Sequence, residues 1–153
     1  MDIQNFIMKT PGPKISKADL LKVEQRLGNT LPDDYKEFLL KFNGGTSEYY
    51  KSTDAKIRVD NWLSIVEAPI IPLRSIPAIN ASMRKSDVGW REFVIFATDI
   101  ADNYLALKCV GEKSEGVFYC DWHDVQYELE KIELLYSSFT EFLLHLESAP
   151  LFS

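Results

Sequence analysis

The stretch Ile15–Gly45, ISKADLLKVEQRLGNTLPDDYKEFLLKFNGG, reads as two short amphipathic helices separated by a glycine break and closed by Asn-Gly-Gly. Ser16 is a strong N-cap residue, and Asp19 stands three positions on as its capping-box partner. Ile15 and Leu20 occupy the staple positions around that cap. Leu20, Val23 and Leu27 recur at spacings of three and four, which makes one apolar stripe, and Lys17, Lys22, Glu24 and Arg26 fall off it. Gly28 is the expected stop, because a residue without Cβ takes the left-handed conformation that closes a helix. Pro32 suits the first turn of the second helix, where its missing N–H has no partner to lose. Asp33 and Asp34 favour that same end through the helix dipole. Tyr35, Phe38, Leu39 and Phe42 form the second stripe, and Asn43-Gly44-Gly45 terminates it.

On either side of this segment the pattern changes. Residues 1–14 read as a lead-in ending in a turn at Pro11-Gly12-Pro13, which leaves residues 15–153 as the domain. Residues 46–56, polar and tyrosine-rich, read as an exposed loop. Ile57, Val59 and the Trp62–Ile65 run read as one or two strands. Pro69, Pro72 and Pro77 argue against a long helix or central strand before Ala78, and a short helix over Ile76–Lys85 fits Ile79 and Met83 on one side. Phe93–Ala97 is apolar on both parities, as a strand covered on both faces requires. Tyr104–Val110 alternates, and Val117–Cys120 returns beside it across a turn spanning Gly111–Gly116. Residues 123–136 fit a strand through Val125, Tyr127 and Leu129 and fit a helix equally well through Val125, Leu129, Ile132 and Tyr136. Ser138 and Glu141 form a capping box, with Phe139, Phe142, Leu143 and Leu146 as the stripe behind it. Helices at both ends of a run of strands predict a single α+β domain, in which a mainly antiparallel sheet carries an N-terminal helix pair and a C-terminal helix.

The 153 residues suffice for one domain with its own core, and 46% hydrophobic residues mark a globular chain. A net charge of −6 argues against duplex nucleic acid or an anionic membrane as the direct partner. That acidity either speeds docking onto a basic protein or only keeps the chain soluble. No basic leader with an apolar segment and cleavage site is present, and no apolar run approaches the roughly 20 residues a membrane span needs, so a cytoplasmic location is expected. With Val110 facing Val117, Cys109 and Cys120 fall on the face of Leu105 and Leu107 as diagonal neighbours. A reduced buried pair is favoured there over a disulfide or a metal, since no Cys-x-x-Cys or His-rich spacing occurs.

Groups able to do chemistry are few. His123, in Asp121-Trp122-His123-Asp124, could act as a base or ligand, but no nucleophile or second ligand accompanies it, and a strand-end turn explains the same residues. Asp99, Asp102 and Asn103 lack the long loop and closing Glu of a calcium site and suit a tight turn instead. Phosphate-cradling loops and a Gly-x-Ser-x-Gly elbow are absent. The expectation is therefore a non-enzymatic chain with no catalytic residues, metal or cofactor.

Leu31-Pro32-Asp33-Asp34-Tyr35-Lys36-Glu37-Phe38-Leu39, followed by Asn43-Gly44-Gly45, resembles the hallmark of the SUKH superfamily. Phe93–Asp99, Asp99–Leu107 and Ser138–Leu143 are similar to its central strand, acidic turn and closing helix, in the family's order. That group includes yeast cell-wall-assembly regulators and a large set of bacterial immunity proteins. The resemblance implies a protein-binding domain that neutralises a cognate toxin, often a nuclease and so often basic, by covering its active site or blocking its substrate. An intracellular adaptor or regulator is the alternative, and a small-molecule binder or enzyme a third reading. The resemblance supplies no contact set, so the candidates rest on charge and aromaticity: Asp33, Asp34, Tyr49, Tyr50, Trp62, Asp99, Asp102, Asp121, Trp122, His123 and Asp124.

Overall fold

A computed structural model of the chain describes residues 6–52, 57–66, 75–121 and 131–148. Helix α1 spans Lys17–Leu27, and its capping box is complete: the Ser16 hydroxyl accepts from the Asp19 amide, and the Asp19 carboxylate accepts from the Ser16 amide at 2.8 Å. Gly28 closes it at φ 74°. Helix α2 spans Asp33–Lys41 and begins one residue later than the spacing predicts. Pro32 is its N-cap, extended at ψ 145°, and the Pro32 carbonyl accepts the Lys36 amide at 2.9 Å.

The strands are β1 (Met8–Pro11), β2 (Gly45–Ser52), β3 (Arg58–Trp62), β4 (Phe93–Asp99), β5 (Tyr104–Val110), β6 (Lys113–Cys120), β7 (Glu133–Tyr136) and β8 (Leu146–Ser148). They form one sheet in which β1 to β7 lie in chain order, every pair antiparallel, and β8 returns to β2. Two expectations change here. Of residues 46–56, read as an exposed loop, 46–52 belong to strand β2, because β1, β3 and β8 all bond to that backbone, and 53–56 lie outside the described residues. The segment 1–14, read as a lead-in, supplies β1 and the buried ring of Phe6, which meets Phe38, Phe42 and Trp62 at 5.1–5.3 Å between centroids.

Asn43-Gly44-Gly45 does more than stop α2. The buried Asn43 amide donates to the Pro13 carbonyl at 2.7 Å, and its oxygen accepts the Ile65 amide at 3.0 Å. It thereby ties the chain before α1 to the chain after β3. Gly44 and Gly45 let the backbones of Leu63-Ser64 and Thr10 approach closer than any Cβ would allow.

Strand β3 pairs only with the C-terminal half of β4, through Val59↔Asp99, Asn61↔Thr98 and Trp62↔Ala97. Among the described residues, no strand pairs with the N-terminal half of β4 on that side. Helix α3 (Ile76–Ser86), capped by Ser75 and carrying Pro77 in its first turn, fills the notch. The Asn80 side chain accepts the Ile95 amide at 2.8 Å and donates to the Ile95 carbonyl at 3.1 Å, replacing one rung of a ladder. One turn on, the Arg84 guanidinium donates to the carbonyls of Phe93 (3.0 Å) and Leu27 (2.5 Å) and to the Asn29 side chain (2.7 Å). A buried backbone group needs such a partner, because water cannot reach it.

The core is aromatic. Trp62 of β3, Phe96 of β4, Tyr35 and Phe38 of α2, and Phe139 and Phe142 of helix α4 (Phe139–Leu144) are fully buried and meet at centroid distances of 4.9–6.5 Å. These rings seat the helices on the sheet. The expected stripe ends earlier than predicted: His145 closes α4, and Leu146, though buried, belongs to β8. Within 123–136, residues 133–136 form strand β7, and residues 122–130 lie outside the described residues.

The β5–β6 hairpin closes over Gly111-Glu112, with Val110 opposite Lys113, instead of over six residues. The register therefore places Cys109 opposite Ser114 and Cys120 opposite Tyr104, at opposite ends of the ladder rather than as diagonal neighbours. Both thiols are free and buried, and burial pushes each up to about 12. The folded chain holds both thiol protons more tightly than the unfolded chain. Their contribution to stability is complete below pH 9.0 and falls as pH rises toward 12. Urea unfolding at increasing pH is expected to show this decline, and a Cys109→Ala, Cys120→Ala variant should lose that part of the slope. In the native protein at neutral pH, a disulfide-exchange reagent should leave both thiols unreacted.

Candidate protein-binding surface

Strand β4 ends in a turn that Asp99 holds together. Its Oδ1 accepts the amides of Ala101 and Asn103, each at 2.8 Å, and its Oδ2 accepts the Tyr119 hydroxyl at 3.1 Å. The Asn103 side chain donates to the Tyr119 oxygen at 2.8 Å, and the Asp102 amide donates to the Asp99 carbonyl at 3.1 Å. Asp102 itself sits at φ 61°, the left-handed geometry that Asp tolerates well. Asp99 is only 6% exposed, so its carboxylate serves the turn, while Asp102 is carried out at the tip.

Three more acidic or aromatic positions converge on this end of the sheet. Val59 pairs with Asp99, which places Asp60 in the neighbouring strand, half-buried. Cys120 pairs with Tyr104, so Asp121 leaves β6 beside the same turn. The Tyr119 phenol, on β6, is pushed upward first by burial and then by the charges of Asp99 and Asp121. Ile100, exposed in the turn, and half-buried Tyr119 add apolar area beside these carboxylates, while Tyr104, paired with Cys120 and Thr98, lies on the opposite face of the sheet from Tyr119. The backbone of Tyr50 lies across β3 from it, since Tyr50 pairs with Val59.

The other candidates go elsewhere. Asp34 joins α2 to α4: its Oδ2 accepts the Thr140 amide at 2.9 Å and the Thr140 hydroxyl at 2.8 Å. That contact lies toward the hairpin end of β6, where the Tyr136 carbonyl approaches Gly116, and not at the Asp121 end. Asp33 is exposed there and pairs with Lys36 at 3.5 Å. Trp62 is a correction: it is 2% exposed in the aromatic core, so a docking protein would not touch it. The side chains of Tyr49 and Tyr50, and all of Trp122, His123 and Asp124, lie outside the described residues. Asp60, Ile100 and Tyr119 were not among the candidates; alternation along their strands marks Asp60 and Tyr119 as facing away from their neighbours, but only the register brings them to Asp99.

Among the described residues, no group of three His, Cys, Asp or Glu side chains could hold a metal ion, and no helix is long and apolar enough to cross a membrane. No curated protein matches the chain. The model of the SMI1 / KNR4 family (SUKH-1) matches residues 14–145. That match runs from just before α1 through α4 and takes in the helix pair, the buried central strand and the Asp99 turn, so the chain belongs to the SMI1 / KNR4 family (SUKH-1).

Proposed function

We propose that this chain is a cytoplasmic immunity protein that neutralises a cognate bacterial toxin by direct binding, without catalysis. The observation that carries the reading is the gathering of Asp60, Asp102 and Asp121 at one end of the sheet, with Ile100 and Tyr119, around a turn whose own carboxylate is engaged. Three carboxylates and an aromatic side chain at one end of the sheet, beside the cation Arg58 whose carbonyl accepts the Ile100 amide, in a chain of net charge −6, suit a protein partner of the opposite sign. A nuclease must attract phosphate and is commonly basic around its cleft. Family membership supports a binding role, because immunity proteins are among the bacterial relatives that the motif resembles.

Co-expression with the toxin encoded beside the gene is expected to rescue growth, and the purified pair to form a complex. Failure to rescue would overturn the immunity reading, and capture of a host protein instead would favour an adaptor. Charge should act mainly on encounter. Asp60→Asn, Asp102→Asn and Asp121→Asn together are expected to slow association by about tenfold at low salt, with a difference that shrinks as salt is raised. Stopped-flow association at several ionic strengths checks this; unchanged rates would remove this end of the sheet from the interface.

A further inference from the structure

The turn between β4 and β5 is bonded at every residue. The Asp99 amide donates to the Asn103 carbonyl at 2.9 Å, the Ile100 amide to the Arg58 carbonyl at 3.3 Å, and the Asp102 amide to the Asp99 carbonyl at 3.1 Å. The amides of Ala101 and Asn103 both donate to the Asp99 carboxylate. Five consecutive backbone donors are thus satisfied within the turn or by β3. The second oxygen of the same carboxylate accepts the Tyr119 hydroxyl of β6, and that hydroxyl accepts from the Asn103 side chain.

This bonding holds the one large apolar side chain of the turn in the open. Ile100 is 59% exposed, at the end of the sheet where Asp60, Asp102 and Asp121 gather. Single exposed apolar side chains are common on protein surfaces. Ile100 is set apart by what carries it, a turn already ordered before any partner arrives, so that docking there loses little loop entropy. Its β-branched side chain also has few rotamers to lose.

We propose that the Asp99–Asn103 turn is a preformed anchor: Ile100 enters an apolar pocket of the toxin bordered by Lys or Arg side chains, and Tyr119 is a positioning residue that acts by holding Asp99. The anchor rests on the immunity reading and names the side chain that limits dissociation. The two kinds of contact divide the kinetics. Carboxylates set the rate of encounter, and a desolvated apolar anchor sets how long the complex lasts. A symmetric contact between two copies of this chain is disfavoured at this turn, because it would bring Asp60, Asp102 and Asp121 against the same carboxylates.

The probe is the toxin domain encoded beside the gene, bound to the full chain, with association and dissociation followed separately. Ile100→Ala is expected to speed dissociation by about thirtyfold while association stays near the parent rate. Leu21→Ala, at a similarly exposed position on α1, should change dissociation by less than about twofold. Tyr119→Phe keeps the ring, removes the hydroxyl, and is expected to weaken the complex by about fivefold. In the Ile100→Ala background the same change should have little further effect, a coupling that a purely structural role of Tyr119 would not produce. Full additivity would therefore remove Tyr119 from the positioning role. Dissociation of Ile100→Ala at the parent rate would overturn the anchor and leave the immunity reading standing. No complex with the parent chain would sink that reading and the anchor with it. A dimer of the parent in sedimentation that Ile100→Ala dissolves would assign the turn to a second copy and not to a toxin pocket. If Tyr119→Phe does not fold, Ile100→Ala decides the outcome alone.

Discussion

Asn80→Leu is expected to lower the unfolding free energy by about 3–5 kcal/mol, more than any nearby surface change. Leucine has the branched heavy-atom skeleton of asparagine, with bulkier methyl groups, but can bond nothing. It strands the Ile95 amide and carbonyl, which the Asn80 side chain serves at 2.8 and 3.1 Å. Both groups lie on a residue with no solvent exposure, so each loses a partner that water cannot replace. Asn80→Ala should cost less, because the shortened side chain leaves room for a water between helix and strand. Ser82→Ala, on the exposed side of the same helix, should stay within about 0.5 kcal/mol of the parent. Urea unfolding midpoints at a common slope give the ranking. Equal losses for the Leu and Ala variants would mean that Asn80 is a space-filler and not a surrogate rung.

Gly45→Ala is expected to cost about 2–4 kcal/mol, against about 1 kcal/mol for Gly28→Ala. Both glycines have positive φ, but 74° at Gly28 lies near the left-handed well that alanine can occupy, whereas 124° at Gly45 lies well outside it. Space widens the difference. A Cβ on Gly28 meets nothing within 4 Å, whereas one on Gly45 runs into the Thr10 carbonyl of the paired strand β1. The cheapest escape is for β1 to leave β2, which withdraws Phe6 from Phe38, Phe42 and Trp62. Hydrogen exchange in Gly45→Ala should therefore accelerate first at Met8–Pro11, with the β4–β5 ladder slower to follow. Uniform acceleration across the sheet would show that the damage is not local.

Much of the architecture could be read from residue patterns because it is fixed within one or two turns of chain. Ser16 with Asp19, Gly28, and Ser138 through the Glu141 amide each act within three residues of the positions they cap, and the reciprocal box is complete at Ser16 and Asp19. Strand β4 was legible because all seven of its residues are buried, and such a strand has no polar parity to disguise it. The readings that changed depend on pairing. The polar run after Gly45 resembles a loop, yet three other strands bond its backbone, and side-chain composition says little about that. The cysteine register shifted because a two-residue turn replaced a six-residue one, and no periodicity distinguishes the two.

The candidate surface divides in the same way. Asp99 and Asp102 were recognisable as a turn from their residue types, and Asp102 adopts the left-handed geometry expected of it. Their unequal fates were not, since the Tyr119 hydroxyl that helps occupy Asp99 comes from 20 residues away. Asp34 looked like a helix-dipole residue open to a partner; its contact with Thr140 lies 106 residues along the chain.

The sequence by itself determined the caps, stops, apolar stripes and family motif, because hydrogen bonds and side-chain spacing within a few residues set them. Tertiary structure alone decided that Asn80 completes the sheet, that Trp62 is core, that Asp60, Asp102 and Asp121 come to one end of the sheet, and that β1 and β8 both pair with β2. Those outcomes depend on which distant backbones meet and in what register, and both follow from burying the aromatic core while leaving no interior N–H or C=O without a partner.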